Sequence, residues 1–337
     1  MSISRRVFLT AGAAQLAPGQ TKIRIAMLGA GHAHASGTLK TLMESTDFDL
    51  VGVCEPKMRP AYKNVRWMSE EELFGDRSIQ AVAVEGAVPE NLEYGRKVIA
   101  SGKHLHIDKP PTNRMAPFRE LIEEARRKKL AAQGGYIFRF HEGFDRAIEA
   151  AKKGWLGDVY MVRIVMNTDL PDKDRSPLSE YKGGMMFELG GHMIDRVTAI
   201  LGRPKEVRGW MRHDSTMRDK LADSTLVVLE YDSAMAVIST AARMAGASQH
   251  RTFEITGTNG AMILSPIEPG NKMRVSMRDA HGPYQAGWQD VVLPNQQRYV
   301  NDFKDLARFI RTGDPLKYSY DHELLVEETL LRACGEI

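Results

Sequence analysis

A glycine-punctuated turn between an apolar run and a helical pattern, near the start of the chain, constrains the fold more than any other feature. Ile23 to Leu28 is apolar except for Arg24, which reads as a buried strand. Gly29-Ala30-Gly31-His32-Ala33-His34 follows, and a helical pattern then runs through Met43. That order brings free backbone N–H groups and the positive end of a helix dipole to one point, a natural seat for a pyrophosphate. Gly29 permits the tight turn, Gly31 lets the backbone approach the phosphates, and His32 and Ala33 continue the cradle. His34 stands where a third glycine is usual, so helix and strand must pack differently there. A second strand, Asp49 to Cys54, ends at Glu55. A carboxylate at that point accepts both ribose hydroxyls and repels a 2′-phosphate, so NAD is expected rather than NADP. Lys57 and Arg59 nearby weaken that preference. The plainer alternative is an ordinary glycine turn with a solvated glutamate.

Strand and helix go on alternating. A short helix with a serine cap covers Ser69 to Phe74, and Ile79 to Val84 is a third core strand. Glu90 to Ser101 reads as a helix closed by Gly102, and His104 to Ile107 as a fourth strand running into Asp108-Lys109-Pro110-Pro111. Met115 to Lys129 is the next helix and Ala131 to Phe140 the next strand. This alternation predicts a Rossmann-type, doubly wound parallel sheet. After about Phe144 the pattern changes. A helix over Phe144 to Lys153 precedes strands at Val159 to Asn167, Glu206 to Met211, Asp223 to Tyr231, Ala234 to Ala241, Arg251 to Thr256, Ala261 to Leu264 and Met273 to Met277. Met193 to Leu201 is the one clear helix among them, and helices at Tyr299 to Thr312 and His322 to Cys334 close the chain. The expected fold class is therefore α/β, with a second α+β domain built on a large, open, mostly antiparallel sheet. The expected division is a leader or tail over 1–21, a nucleotide-binding domain over 22–142 and a substrate and oligomerisation domain over 143–337, with the last helices free to pack back on the first domain.

Composition narrows the partners. A net charge of +3 over 337 residues offers no concentrated basic face for nucleic acid. The one dense basic run, Arg126-Arg127-Lys128-Lys129, ends a helical pattern, where cations suit the dipole. No later stretch reaches membrane-spanning length. The two cysteines, Cys54 and Cys334, have no metal-ligand spacing and read as buried thiols, and no His, Cys and Asp cluster is spaced for a metal, so none is expected. Ser4-Arg5-Arg6-Val7-Phe8-Leu9-Thr10 resembles a twin-arginine export signal, although the apolar stretch behind it is short. It points to periplasmic or secreted export, the alternative being a cytoplasmic protein with a frayed tail.

Gly102-Lys103-His104-Leu105-His106-Ile107-Asp108-Lys109-Pro110 resembles the "EKP" segment of the glucose–fructose oxidoreductase, inositol dehydrogenase and rhizopine-catabolism (Gfo/Idh/MocA) family. Gly183 to Asp195 is similar to that family's "GGG-x-x-x-D-x-G-x-H-x-x-D" segment, and Tyr136 to Phe140 and Gly154 to Asp158 match its junction and early second domain. Asp108 replaces the usual Glu and Glu188 the usual Asp; Ala87 and Asn91 stand where proline and histidine are common. The resemblance implies an NAD-dependent oxidoreductase acting on a sugar, polyol or sugar acid, and pairing into homodimers or homotetramers through the exposed face of the second sheet. It assigns catalysis to Lys109 and His192, with Glu188 beside them, and places Asp108, Lys109 and Pro110 against the cofactor. A lysine polarises a hydroxyl and steadies the developing alkoxide, and a histidine takes its proton near neutral pH. Were the segment helical, Glu188 and His192 would share a face, the carboxylate orienting the imidazole or binding a substrate hydroxyl, and Asp195 could serve similarly. Tyr136 and Arg139 either line the substrate cleft or pack the junction. Two other readings stay open: an NAD-dependent glycosidase working through transient oxidation, and a non-catalytic NAD-binding sensor.

Overall fold

The computed structural model describes residues 21–57, 62–295 and 297–337. The leader with Arg5 and Arg6, and Arg59, lie outside the described residues.

β1 (Ile23–Leu28), β2 (Phe48–Cys54), β3 (Ala81–Val84), β4 (His104–Asp108) and β5 (Ala132–Gly135) form one parallel sheet in the order β2-β1-β3-β4-β5. β3 is buried along its whole length, as expected of a parallel strand covered on both faces. The strands are joined by α1 (Ala35–Met43), α2 (Glu70–Gly75), α3 (Val88–Ala100) and α4 (Met115–Lys128). α2 starts in a capping box, with Ser69 Oγ accepting from the Glu72 N–H while Glu72 accepts from the Ser69 N–H. The order reverses at β1, so α1 and α3 leave toward opposite sides and a crevice opens at the carboxyl ends of the strands.

The second half holds α5 (Glu142–Lys152), β6 (Val159–Val165), α6 (Arg175–Leu178), α7 (Gly191–Leu201), β7 (Glu206–Arg212), β8 (Ser224–Glu230), β9 (Met235–Ala241), β10 (Thr252–Gly257), β11 (Gly260–Leu264), β12 (Lys272–Met277) and β13 (Gly287–Val292). Its eight strands lie in the order β13-β12-β11-β10-β6-β9-β8-β7, antiparallel except for the parallel pair β6 and β9. One face carries a core containing Val162, Ile164, Val227, Ile238, Phe253 and Met262, packed beneath α5 and α7. α8 (Val300–Thr312) returns to the first sheet through Phe303, Leu306 and Ala307. α9 (Tyr320–Ala333) straddles both, giving Leu324 to the first domain's core and Val326, Leu330 and Leu331 to the second's.

Two expectations change. The strand over Ala131 to Phe140 stops at Gly135. Tyr136, Ile137 and Phe138 are buried as the apolar run predicts, but they turn off the sheet edge into the second domain's core, so burial here does not mean extended backbone. The sequence reading also lacks β13, an edge strand whose Trp288 and Val292 are exposed; without an apolar face it has no strong alternation to read.

Candidate active site

The glycine turn is built for close backbone approach. Gly29 has φ +82°, and a Cβ there would stand 2.6 Å from Gly86 N, so only glycine fits between β1 and the loop after β3. The Ala30 N–H donates to Glu55 Oε2 at 2.7 Å and the His32 N–H to the Glu85 carbonyl at 3.1 Å. Among the described residues, the amides of Gly31 and Ala33 have no hydrogen-bond acceptor, leaving two donors ahead of the α1 N-terminus for an anion. Glu55 ends β2 as expected, and it also accepts the Lys57 N–H at 2.9 Å. A carboxylate has about four lone-pair positions, so two remain for ribose hydroxyls. These residues fit a dinucleotide.

At the end of β4 the chain turns through Asp108-Lys109-Pro110. Lys109 is 1% exposed, and its Nζ donates to the Glu188 carbonyl at 2.7 Å and to Glu188 Oε1 at 2.8 Å. Glu188 lies in a widened, π-helical turn over Met186–Gly190, just ahead of α7. The expectation that Glu188 orients His192 is corrected here. Its carboxylate crosses to Lys109, while the His192 Nδ1 is buried without a hydrogen-bond partner. Burial, followed by the Lys109 charge, holds His192 well below the usual imidazole pKa, so the ring is neutral.

Asp108 is buried, and its carboxylate faces the glycine turn. Its Oδ1 accepts the Lys109 N–H at 2.7 Å and faces His34 Nδ1 at 3.1 Å, while Oδ2 pairs with His32 Nδ1. Pro110 is buried beside it. The His34 ring lies 5.8 Å from that of His192 and 5.9 Å from that of Tyr299. Glu85, buried between Thr38 and Asp108, is pushed well above the carboxylate range by burial and by the Asp108 charge.

The three substrate-binding candidates sit behind this site rather than in a cleft. Arg139 is 1% exposed, and its guanidinium is taken up by Asp195 and Glu323. Asp195, fully buried, is shared among Arg139, Arg196 and His322. Tyr136 is buried, with the Arg139 guanidinium 4.7 Å from its ring centre and the His192 ring 6.0 Å away. Of the alternatives open for Tyr136 and Arg139, the junction is where they are; Asp195 joins them because its oxygens face two arginines and His322.

Sequence reasoning missed Tyr299, Arg298 and Glu85. Tyr299 and Arg298 help line a groove of about 910 Å³ between α1 and the loops of the second sheet, with Lys40, His141, Arg251 and Glu268. Only Glu85 left a legible signal, a charge ending an otherwise apolar strand.

Known proteins give the chain its family and its fold. Residues 23–136 match an oxidoreductase family's NAD-binding Rossmann fold, and residues 144–263 match the GFO/IDH/MocA C-terminal domain. The chain is 22% identical over 309 residues to a myo-inositol 2-dehydrogenase of Thermotoga maritima, covering 87% of this chain and 90% of that one. GenD2 of gentamicin A biosynthesis, solved in complex with NAD, superposes with a TM-score of 0.76 at 22% identity, over 98% of this chain and 97% of that one. An Agrobacterium radiobacter oxidoreductase in complex with NAD+, L-tartaric acid and magnesium superposes with a TM-score of 0.77 at 13% identity, over 92% and 94%. At these identities the superpositions establish the fold, and the two domain matches, which together cover most of the chain, establish the kinship. With its NAD-binding first domain and its second-domain sheet, the chain belongs to the GFO/IDH/MocA family of oxidoreductases, enzymes that act on hydroxyl groups.

Proposed function

We propose that the chain transfers a hydride between NAD and a hydroxyl-bearing carbon of a sugar, polyol or sugar acid. The observation that carries this reading is the convergence of Lys109, Glu188 and His192 at the junction of the two domains. An ammonium has three donors. Glu188 takes two of them through its carbonyl and its carboxylate, which leaves one for a substrate hydroxyl. That N–H, fixed in a buried site, stabilises negative charge as it develops on the oxygen. His192, neutral and with an unpartnered Nδ1, takes the hydroxyl proton. NAD, when bound, supplies the hydride acceptor. The neighbouring groove, with Arg251, Arg298, Lys40 and Glu268, offers charged donors and acceptors to a polyhydroxylated molecule. The large apolar side chains left exposed on the second sheet, Trp210, Leu226, Met235 and Trp288, support pairing of copies through that face, which sedimentation tests. Export of the folded chain is part of the same reading, and fractionation of wild type beside an Arg5→Lys, Arg6→Lys variant tests it.

Mass spectrometry of carried ligands, followed by a polyol, sugar and sugar-acid panel read by NADH absorbance, tests the reaction. NADH formed with at least one class, and lost in Lys109→Ala, is the expected result. NAD binding with no reduction by any panel member would overturn the reading.

A further inference from the structure

The turn at Gly29–His34 separates two tasks. Its unpaired amides belong to Gly31 and Ala33, whereas its two imidazoles gather on Asp108, 74 residues further along the chain in the case of His34. Asp108 is 1% exposed, and a buried carboxylate needs a positive counterpart. Lys109, next in sequence, does not provide one with its side chain, because its ammonium is committed to Glu188. What faces the Asp108 carboxylate is His32 Nδ1 on one oxygen and His34 Nδ1 on the other.

The ligand atoms of His32, His34 and Asp108 all lie within 4.8 Å of one another. Bonds of about 2.0–2.2 Å to a tetrahedral metal put its ligand atoms roughly 3.3 Å apart, so small side-chain rotations suffice to close the set. His32 Nδ1 also receives the His34 N–H at 3.2 Å. That bond uses the one in-plane lone pair of Nδ1, so a metal bound there takes the place of the His34 N–H. Two further buried atoms next to the cluster have no hydrogen-bond partner: Glu85 Oε2, in a carboxyl lying beside Asp108, and His192 Nδ1, whose ring neighbours that of His34. Glu85 and His192 are 1% and 2% exposed.

We propose that His32, His34 and Asp108 form a binding site for a first-row divalent transition metal, with Zn²⁺ as the best fit, beside the Lys109–His192 site. Two imidazole nitrogens and one carboxylate select Zn²⁺, Co²⁺, Fe²⁺ or Mn²⁺ over the harder Mg²⁺ and Ca²⁺. Three protein ligands leave a coordination position open. Spacing along the sequence hid the set, since only the β4 end brings Asp108 to the turn; the expectation of no metal therefore rested on a pattern this site does not follow.

The test uses the full chain, stripped with a chelator and then titrated with Zn²⁺ against a competing chromogenic chelator, and with Co²⁺ followed by its visible absorption. The expected result is one Zn²⁺ per chain, a tetrahedral-type Co²⁺ spectrum, and a Kd raised at least about tenfold in His34→Gln and in Asp108→Asn, the scale on which even outer-shell partners of metals count. Circular dichroism and denaturant unfolding show that each variant is folded. Lack of stoichiometric Zn²⁺ binding, an unchanged Kd in both variants, or equal affinity for Mg²⁺ would overturn the site; the first of these would leave the cluster as a set of His–Asp contacts that only holds the turn to β4. Metal binding is read without turnover, so its failure and that of the hydride-transfer reading are separable.

Discussion

Two charged clusters meet along α7, three residues apart in sequence, and they are built in opposite ways. In the first, Lys109 reaches Glu188, while His192 keeps a buried nitrogen without a partner. In the second, Arg139 binds Asp195 and Glu323, Asp195 binds Arg196 and His322, and Arg196 also donates to the Tyr318 hydroxyl at 2.6 Å. Both are almost wholly removed from water. The second joins the first domain's edge, α7 and α9 into one paired network, and its charges hold the junction. The first leaves hydrogen-bonding capacity unspent. Burying a polar group without a partner lowers stability, a cost the first cluster carries at His192 and the second, as paired, does not.

The comparison breaks most visibly at Arg139. Replacing it by alanine leaves Glu323 buried with only the Gly134 N–H, takes one of two arginines from Asp195, and is expected to lower stability by about 3–5 kcal/mol, the cost of removing one partner of a buried pair; denaturant unfolding measures it. A loss under about 1 kcal/mol would place Arg139 in the class of exposed ion pairs instead.

Lys109→Ala should act the other way round. It is expected to cost about 10²–10³ in turnover, as removal of a transition-state donor does, while circular dichroism and NAD titration show a folded protein that still binds the cofactor. Near-normal turnover would remove Lys109 from the mechanism.

Asp302 on α8 sharpens the contrast, because it is buried near the second cluster without joining it. Burial raises its pKa to about 7. The raised value favours the protonated carboxyl in the folded state, so the unfolded chain gives up its proton first as pH rises. Stability contributed by the neutral form is present at low pH and drains away between the unfolded carboxyl's range and pH 7. Relative to Asp302→Asn, wild type is expected to lose about 2–3 kcal/mol between pH 5 and pH 8, from 1.36 kcal/mol per pKa unit. Parallel stability curves for the two proteins across that range would contradict the assignment.

Glu55→Ala gives the smallest of these effects. It removes the acceptor for the Ala30 and Lys57 amides as well as for the ribose, and should weaken NAD by about 1–3 kcal/mol with little change in the junction. Tighter binding of NADPH than of NADH by wild type would overturn the cofactor preference.

Local pattern determined a good deal of this protein. The strand, the glycine turn, α1, the capped α2 and the acid closing β2 are short-range features, and each follows from periodicity, a cap or a positive φ that a few neighbouring residues dictate. The change from alternating strands and helices to consecutive strands marked the second sheet for the same reason. The chemistry-bearing segments, Asp108-Lys109-Pro110 and Gly183 to Asp195, were legible only because their motifs resemble a family's. What each side chain touches was decided by the tertiary structure. Glu188 and His192 are four apart, yet the widened turn sends Glu188 to Lys109, 79 residues away. Arg139 reads equally as a cleft or a junction residue until Glu323, 184 residues on, arrives from α9 to bind it. His34 reads as a misplaced glycine until β4 sets Asp108 against it. Hydrophobic periodicity registers which face of an element is buried, but a buried charge takes its partner from another element, and only the folded chain brings the two together.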